Sequence, residues 1–287
     1  MSLIQHSIIG KIDKVQIAID RIRNYDPLQF SAEPYYVGYS GGKDSDAIRI
    51  LCDLANVKHE LVHNLTTVDA PETVYYIKSI PNIVINKPEL SMWDLIVKKT
   101  IPPTRVMRYC CDALKERNGV DRVVMTGVRW SESSKRKKNR ASLEIQKRKI
   151  TDSLKLNADN AENRRLFENC QLKGRRILNP IIDWTDAEVW EFLDSHGCKS
   201  NPLYKCGFKR IGCLGCPMST KGKQELEMYP KYKEMYLRAF GRMLKHRIEI
   251  GMSNDTWTDA EAVYDWWKNG KAISKQILGQ LSIFEIL

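Results

Sequence analysis

Two groups of residues in this chain have the types and spacing that chemistry needs. The first is Ser40-Gly41-Gly42-Lys43-Asp44-Ser45, directly after the apolar run Tyr35-Tyr36-Val37-Gly38-Tyr39. Paired glycines let a backbone turn sharply and approach a ligand closely. Successive N–H groups then form a nest for an anion, and a helix starting there adds its free amides and the positive end of its dipole. Ser40 and Ser45 supply hydroxyls and Lys43 a full positive charge, while Asp44 caps the helix or stands near a magnesium ion. The spacing is not that of a Walker A loop. The competing reading is a glycine-rich turn with incidental polar residues. The second group is thiol: adjacent Cys110 and Cys111, then Cys206, Cys213 and Cys216, the last two a Cys-x-x-Cys around Gly215. Thiolates are soft ligands suited to iron–sulfur clusters or zinc. Neighbouring cysteines are unusual for zinc because their side chains diverge. Cys206 competes for the fourth ligand position with Cys110 or Cys111. A structural zinc site and a set of free thiols remain alternatives. Cys52, Cys170 and Cys198 are isolated and read as small buried hydrophobes.

The elements that must position these groups follow from periodicity. Ile8, Ile12, Val15, Ile19 and Ile22 predict an N-terminal helix. Residues 35–39, 59–65, 82–86 and 123–128 read as strands, with helices over 47–54, 72–79 and 90–99 between them. This alternation predicts a parallel, twisted sheet covered by helices on both faces. Ligands bind at the carboxyl ends of such strands, which puts Asp69, in the loop after the second strand, on the edge of the glycine loop. There it orients a ribose, a metal or the substrate, or is an ordinary acid before Pro71. His63 is a candidate general base or a structural histidine. Thr185 and Glu188 form a capping box that opens a helix. Residues 201–219 form a cysteine-rich loop, 224–250 one long basic helix and 259–268 a short one. The expected division is an α/β nucleotide-binding domain over 1–220, carrying an inserted basic and polar segment at 129–177, with a helical extension over 221–287 packed on it.

Composition narrows the class. The chain has 287 residues, 43% hydrophobic and 28% charged, which excludes a collagen-like, coiled-coil or disordered protein. No run approaches the roughly 18 apolar residues of a membrane span, and the N-terminus has no uninterrupted apolar region of the export type. The expectation is a cytoplasmic protein with no membrane partner. The net charge of +11 favours a polyanionic partner or serves solubility alone. Residues 129–150 hold nine Lys or Arg against two Glu, and Lys231, Lys233, Arg238, Arg242, Lys245 and Arg247 follow on the long helix. If these converge they form a stripe for DNA or RNA phosphates; otherwise they are solvated faces.

The glycine loop resembles the pyrophosphate loop of ATP-pyrophosphatase families. Five blocks in order, YSGGKDS at Tyr39–Ser45, DAPET at Asp69–Thr73, CCDALK at Cys110–Lys115, TGVRWSESSKR at Thr126–Arg136, and NPIIDWTDAEVW with NPLYKCGFKRIGCLGCPM within Asn179–Met218, resemble the phosphoadenylyl-sulfate and adenylyl-sulfate reductase family. The resemblance implies an adenine nucleotide α-hydrolase-like fold. It implies nucleotide binding by Tyr39, Ser40, Gly41, Gly42, Lys43, Asp44, Ser45, Arg129 and Arg136, with Lys43, Asp44, Asp69 and Arg129 as candidate catalytic residues. It also implies a [4Fe–4S] cluster on Cys110, Cys111, Cys213 and Cys216, with Cys206 as the rival ligand.

One departure changes the expected chemistry. Reductases of this family carry a nucleophilic cysteine in a C-terminal Glu-Cys-Gly-Leu-His motif, whereas this sequence closes on Gln280–Leu287 with no cysteine after Cys216. The parts present are similar to sulfur-transfer relatives such as the ATP pyrophosphatase of DNA phosphorothioation. They predict an iron–sulfur sulfurtransferase that uses ATP and Mg2+ to adenylate a substrate, expected to be nucleic acid, with a cysteine desulfurase as sulfur donor. The rival expectations are a reductase of adenylyl sulfate or its 3′-phosphorylated form, releasing sulfite, and an inert nucleotide-binding subunit of a larger assembly.

Overall fold

The structure is a computed structural model that describes residues 3–7, 10–116, 119, 121–146, 154–156, 175–254 and 256–269. Ile8, Cys170 and most of 147–174 lie outside the described residues. The chain divides into two compact units, one of residues 1–88 and 113–212, the other of 89–112 and 213–287. The units thus do not follow the expected boundary at residue 220: the second takes in 89–112 and the Cys-x-x-Cys loop.

The first unit holds a seven-stranded sheet. Its strands are β3 (Tyr35–Gly38), β4 (His59–Asn64), β5 (Val84–Asn86), β6 (Val123–Met125), β7 (Leu143–Gln146), β8 (Leu154–Leu156) and β9 (Arg175–Leu178), in the order β5-β4-β3-β6-β9-β7-β8. The first five in that order run parallel, and β7 and β8 add antiparallel pairs. Helices α1 (Lys14–Asn24), α2 (Lys43–Ala55), α3 (Pro71–Lys78), α6 (Ser134–Asn139) and α7 (Asp186–Ser195) belong to this unit. One sheet face, with Tyr35, Val37, Leu61, Met125 and Leu178, shares a core with Ile19 and Ile22 of α1, Ile48 and Leu51 of α2 and Phe192 of α7. The other face presents Tyr36, Val62, Val124 and Ile177, also buried. This is the expected mostly parallel sheet flanked by helices.

Chain order turns back at β3. The strands run outward from β3 through β4 to β5, then resume on the far side with β6. The carboxyl ends of β3 and β6 therefore flank a topological switch point, where open α/β sheets bind ligands. The loop after β3 is Ser40–Gly42, and the loop after β6 carries Gly127 and Arg129.

Three expectations are corrected. The N-terminal helix begins only at Lys14, because β1 (Ile4–Ser7) and β2 (Gly10–Asp13) form a hairpin first. Gly10 has φ +127°, and the Asp13 carboxylate accepts the N–H groups of Val15 and Gln16, fixing the start. Segment 129–177 is not simply an insertion, since β7 and β8 lie within it and β9 begins at its end. The long basic helix is two, α8 (Gly222–Met228) and α9 (Pro230–Glu249), because proline at position 230 opens a helix and cannot continue one.

The second unit contains α4 (Met92–Lys99), the short turn α5 (Tyr109–Cys111), α8, α9 and α10 (Ala260–Asn269). Tyr236 and Phe240 of α9 pack against Trp267 of α10. Two members of the expected basic stripe are used internally: Arg242 pairs with Asp94 at 2.6 Å, and buried Arg247 donates to the Thr100 carbonyl at 3.0 Å. Among the described residues no helix is long and apolar enough to cross a membrane.

Candidate functional site

The glycine loop forms as its composition requires. Gly41 adopts φ +72°, and a Cβ there would stand 2.9 Å from Ile77 Cγ1 and 3.3 Å from Thr73 Cγ2. Ser45 closes the turn: its hydroxyl accepts the Gly42 N–H at 3.1 Å and donates to the Gly42 carbonyl at 2.7 Å. Ser40 Oγ lies 3.4 Å from Ser45 Oγ. From Lys43 the chain is helical, so the first-turn amides have no acceptor within α2. The Tyr39 hydroxyl donates to the buried carboxylate of Asp46, which also accepts from Tyr76 at 3.0 Å. Burial pushes the Asp46 carboxyl up to about 6, against the lowering effect of the Tyr39 and Tyr76 hydrogen bonds.

Charge is organised around Lys43 and Arg129, both buried. Arg129 Nε meets Asp44 Oδ1 at 2.8 Å, its Nη2 meets Asp186 Oδ1 at 2.9 Å, and Lys43 Nζ reaches the same Asp186 oxygen at 3.1 Å. Asp44 Oδ2 is 3.7 Å from Lys43 Nζ. Burial tends to raise the Asp186 carboxyl, but Lys43 and Arg129 together hold it below its ordinary value. Gly127 makes this contact possible, since a Cβ on it would meet Asp44 Cβ at 2.8 Å and Asp44 C at 3.0 Å. Trp190 and Tyr204 stack edge to face at 4.8 Å and wall the Lys43 ammonium at 6.0 and 5.9 Å from their centroids. Burial raises the Tyr204 phenol and keeps it protonated, outweighing the lowering by its bond to the Lys43 amide.

Asp69 reaches the loop through His63. The His63 Nδ1 lies 2.9 Å from the Tyr39 carbonyl, which only accepts, so Nδ1 carries the proton. Its Nε2 lies 3.7 Å from Asp69 Oδ2, which also accepts the Thr66 N–H at 2.8 Å. Burial raises the Asp69 carboxyl, while His63, Lys115 and the Thr66 amide lower it by more, leaving it below the usual range. A cavity of 230 Å3 opens beside His63, lined by Leu65, Val74, Ile77 and Ile85 with Lys78 and Lys87. Arg136, on α6, pairs with Glu132 in the turn before it. Burial, then the like charges of Arg210 and Arg140, bring its guanidinium down to about 10.

The thiols fall in two places. Cys206 is exposed in the first unit. In the second unit Cys110 acts electrostatically on Cys111, Cys213 and Cys216, and its thiol is pushed well up by its hydrogen bond with Cys111, then by burial, then by those charges. The Cys-x-x-Cys loop is braced: Gly215, at φ +69°, donates to Glu225 at 3.1 Å, and its carbonyl accepts from Lys268 Nζ at 2.8 Å. Tyr236 donates to the Leu214 carbonyl at 3.0 Å. Among the described residues no group of three or more His, Cys, Asp or Glu is set to hold a metal ion. Cys52 is buried, as expected, and Cys198 half-buried, 4.0 Å from Arg49.

Asp186, Tyr204 and Asn201 were not singled out by residue type. Asp186 follows the recognised cap Thr185, and the other two stand in the NPLY segment, so their positions were visible and their partners were not.

Comparison with known proteins gives the family of this chain. The phosphoadenosine phosphosulfate reductase domain model matches residues 34–219. An uncharacterized protein of Methanocaldococcus jannaschii is 25% identical over 259 residues, 86% of this chain and 55% of that protein. The chain thus spans about half the length of this relative. An adenosine 5′-phosphosulfate reductase of Burkholderia cepacia is 39% identical over 54 residues, 19% of this chain and 22% of that enzyme. A phosphoadenylyl-sulfate reductase structure from Candida auris, a phosphate complex, is similar with a TM-score of 0.44 and 19% identity, covering 69% of this chain and 95% of that one. The matched span takes in the glycine loop, Asp69, Arg129, Asp186 and the Cys-x-x-Cys loop, and this chain belongs to the phosphoadenosine phosphosulfate reductase domain family.

Proposed function

We propose that this chain is an ATP-dependent sulfurtransferase that adenylates an acceptor for sulfur insertion. The observation that carries the reading is the loop itself, with Gly41 barred from bearing a side chain and Lys43 held between Asp44 and Asp186. Family membership supports nucleotide binding as such. The cavity beside His63, apolar with a polar rim, suits a nucleotide base.

Asp44 and Asp186 favour ATP. Magnesium binds through one or two carboxylates and completes its shell with water and substrate phosphates. Two carboxylates beside the nest fit that demand, and the ion would neutralise phosphate charge there. In this reading an acceptor oxygen attacks the α-phosphorus, the α–β bridge breaks and pyrophosphate leaves. The Lys43 ammonium and the Asp44 and Ser45 amides of α2 stabilise the charge that develops on the leaving group. Arg129, neutralised by both acids, positions Asp44 and Asp186. A sulfur nucleophile then displaces AMP from the acceptor.

Cys110, Cys111, Cys213 and Cys216 fit a [4Fe–4S] cluster in kind and number, and all four belong to one compact unit whose Cys-x-x-Cys loop is braced on both sides of Gly215. Such a cluster would supply a site for sulfur. A nucleic-acid acceptor is supported by the net charge and by exposed Lys135, Lys137 and Lys138 on α6. A cysteine desulfurase is the proposed donor.

A second reading, reduction of adenylyl sulfate, is favoured by the stretch shared with the Burkholderia cepacia enzyme. Both readings release AMP, so the co-product decides. The chain is incubated with ATP, Mg2+ and a nucleic-acid acceptor, or with adenylyl sulfate and a thiol reductant. Pyrophosphate from ATP supports the sulfurtransferase; sulfite from adenylyl sulfate, with ATP left intact, replaces it with the reductase; neither product with nucleotide bound leaves a binding subunit.

A further inference from the structure

The NPLY segment is tied to the anion loop more closely than packing requires. Buried Asn201 donates through Nδ2 to the Gly41 carbonyl and to Thr73 Oγ1, each at 3.1 Å, and its Oδ1 accepts the Leu203 N–H at 3.1 Å. These bonds fix the turn Pro202–Tyr204 against the loop. The turn delivers the Tyr204 hydroxyl to the Lys43 N–H at 2.9 Å, and to 3.3 Å from where a Cβ on Gly42 would stand. The edge-on contact with Trp190 holds the ring.

Lys43 is the first residue of α2, so its amide has no acceptor in the helix. With the phenol oxygen on it, that amide is not available to a ligand directly. A phenol has one proton as well as its lone pairs. Among the described residues no acceptor takes the Tyr204 proton, and the hydroxyl lies against Gly42 and Lys43 of the nest. We infer that Tyr204 is a ligand-contacting residue of the nucleotide site: its oxygen accepts the Lys43 N–H, and its own proton is donated to a phosphate oxygen of the bound nucleotide. The helix terminus then acts on the anion through the phenol. The inference rests on the nucleotide-binding reading. The opposite arrangement, in which phosphate takes the Lys43 amide itself, makes Tyr204 a competitor that must be displaced, and predicts the opposite sign.

The test uses the full chain, inorganic pyrophosphate and adenosine as probes, and Tyr204→Phe, which keeps the ring. Binding is measured by calorimetry, with melting temperature as the check on folding. The expected result is a pyrophosphate Kd raised about tenfold in the variant, the loss of one hydrogen bond to a charged group, with adenosine binding unchanged. An unchanged or tighter pyrophosphate Kd overturns the assignment, as does an equal loss for adenosine, which marks a structural role. If Tyr204→Phe does not fold, Tyr204→His, which retains a ring donor, must bind pyrophosphate better than Tyr204→Leu; equal binding by the two overturns it. Wild type that binds adenosine but no pyrophosphate overturns it too, and wild type that binds neither overturns the nucleotide reading as well.

Discussion

Lys43 Nζ and Arg129 Nη2 converge on one oxygen, Asp186 Oδ1, at 3.1 and 2.9 Å. This exposed acid shares both buried cations of the site with Asp44. Its removal has two opposed effects. Asp186→Asn removes the nearer of the two acids on Lys43 and deletes a negative charge near the phosphates, so pyrophosphate without magnesium binds about threefold tighter, the size of a solvent-screened pair. The same change removes a proposed magnesium ligand, so the stimulation of binding by Mg2+ falls. Calorimetry with and without Mg2+ reads both; weaker binding in each condition would show that Asp186 acts only through the fold.

Glycine substitutions separate the loop from its support. Gly41→Ala forces a side chain into φ +72° against Ile77 and should lower stability by about 1–3 kcal/mol and abolish pyrophosphate binding. Gly127→Ala, by pressing on the Asp44 backbone, should lower stability by about 1–3 kcal/mol and weaken binding without ending it. Gly241, inside α9 with nothing within 4 Å of its added Cβ, is the control: alanine there should stabilise by about 0.5–1 kcal/mol. Denaturant titration and calorimetry on the three variants check the order.

Asp46 gives the fold a pH signature. Its carboxyl is raised from 3.8 to about 6 in the folded chain, so between those values the native state holds a proton that the unfolded chain has lost. Stability from this group is fully present below the unfolded value and declines as pH rises toward 6, by about 3 kcal/mol at ~1.4 kcal/mol per unit. Asp69 runs the other way: its depressed carboxyl stabilises above its unfolded value and loses that contribution as pH falls through the folded one. Asp46→Asn should flatten the stability profile between about pH 4 and 6, measured by urea unfolding at each pH. A profile identical to wild type would mean that Asp46 stays charged.

The thiols predict a metal content. Anaerobic purification should give about four irons with matching labile sulfide per chain, lost in Cys213→Ala and in Cys216→Ala. The same assay on Cys206→Ala, Cys110→Ala and Cys111→Ala shows which residue supplies the remaining ligands, and Cys52→Ala should retain all the iron. Zinc, or no metal, in the wild type would end the cluster proposal.

Much of the site is legible in the amino-acid sequence, because its parts are local. Ser40–Ser45 is contiguous, and two glycines followed by a helix start admit few backbone paths, so the turn and the position of Lys43 follow from residue type. Capping at Thr185 and Glu188 is equally local, and the helix begins where those two residues bond. The parallel strands β3 and β6 carry apolar runs and are readable; β7 and β8 are too short, with a charged residue inside each, and β9 opens on two arginines, so none of the three stands out. The hairpin before α1 was missed for a related reason: Ile12 and Val15 fit the helical period, while Gly10 and the Asp13 cap decide where the helix starts.

What the amino-acid sequence alone determined is the chemistry available: an anion loop, five clustered thiols, and acids and arginines distributed among the blocks. Tertiary structure decided which of these meet. Arg129 reads as a phosphate ligand in a line of residues, yet it folds onto Asp44 and Asp186, 85 and 57 residues away along the chain. Tyr204 reads as one aromatic residue in a loop, yet it comes to the Lys43 amide, 161 residues away. No periodicity encodes such pairings. They arise because strand order reverses at β3, bringing the ends of β3 and β6 and the start of α7 to one edge, where buried charge must find a partner.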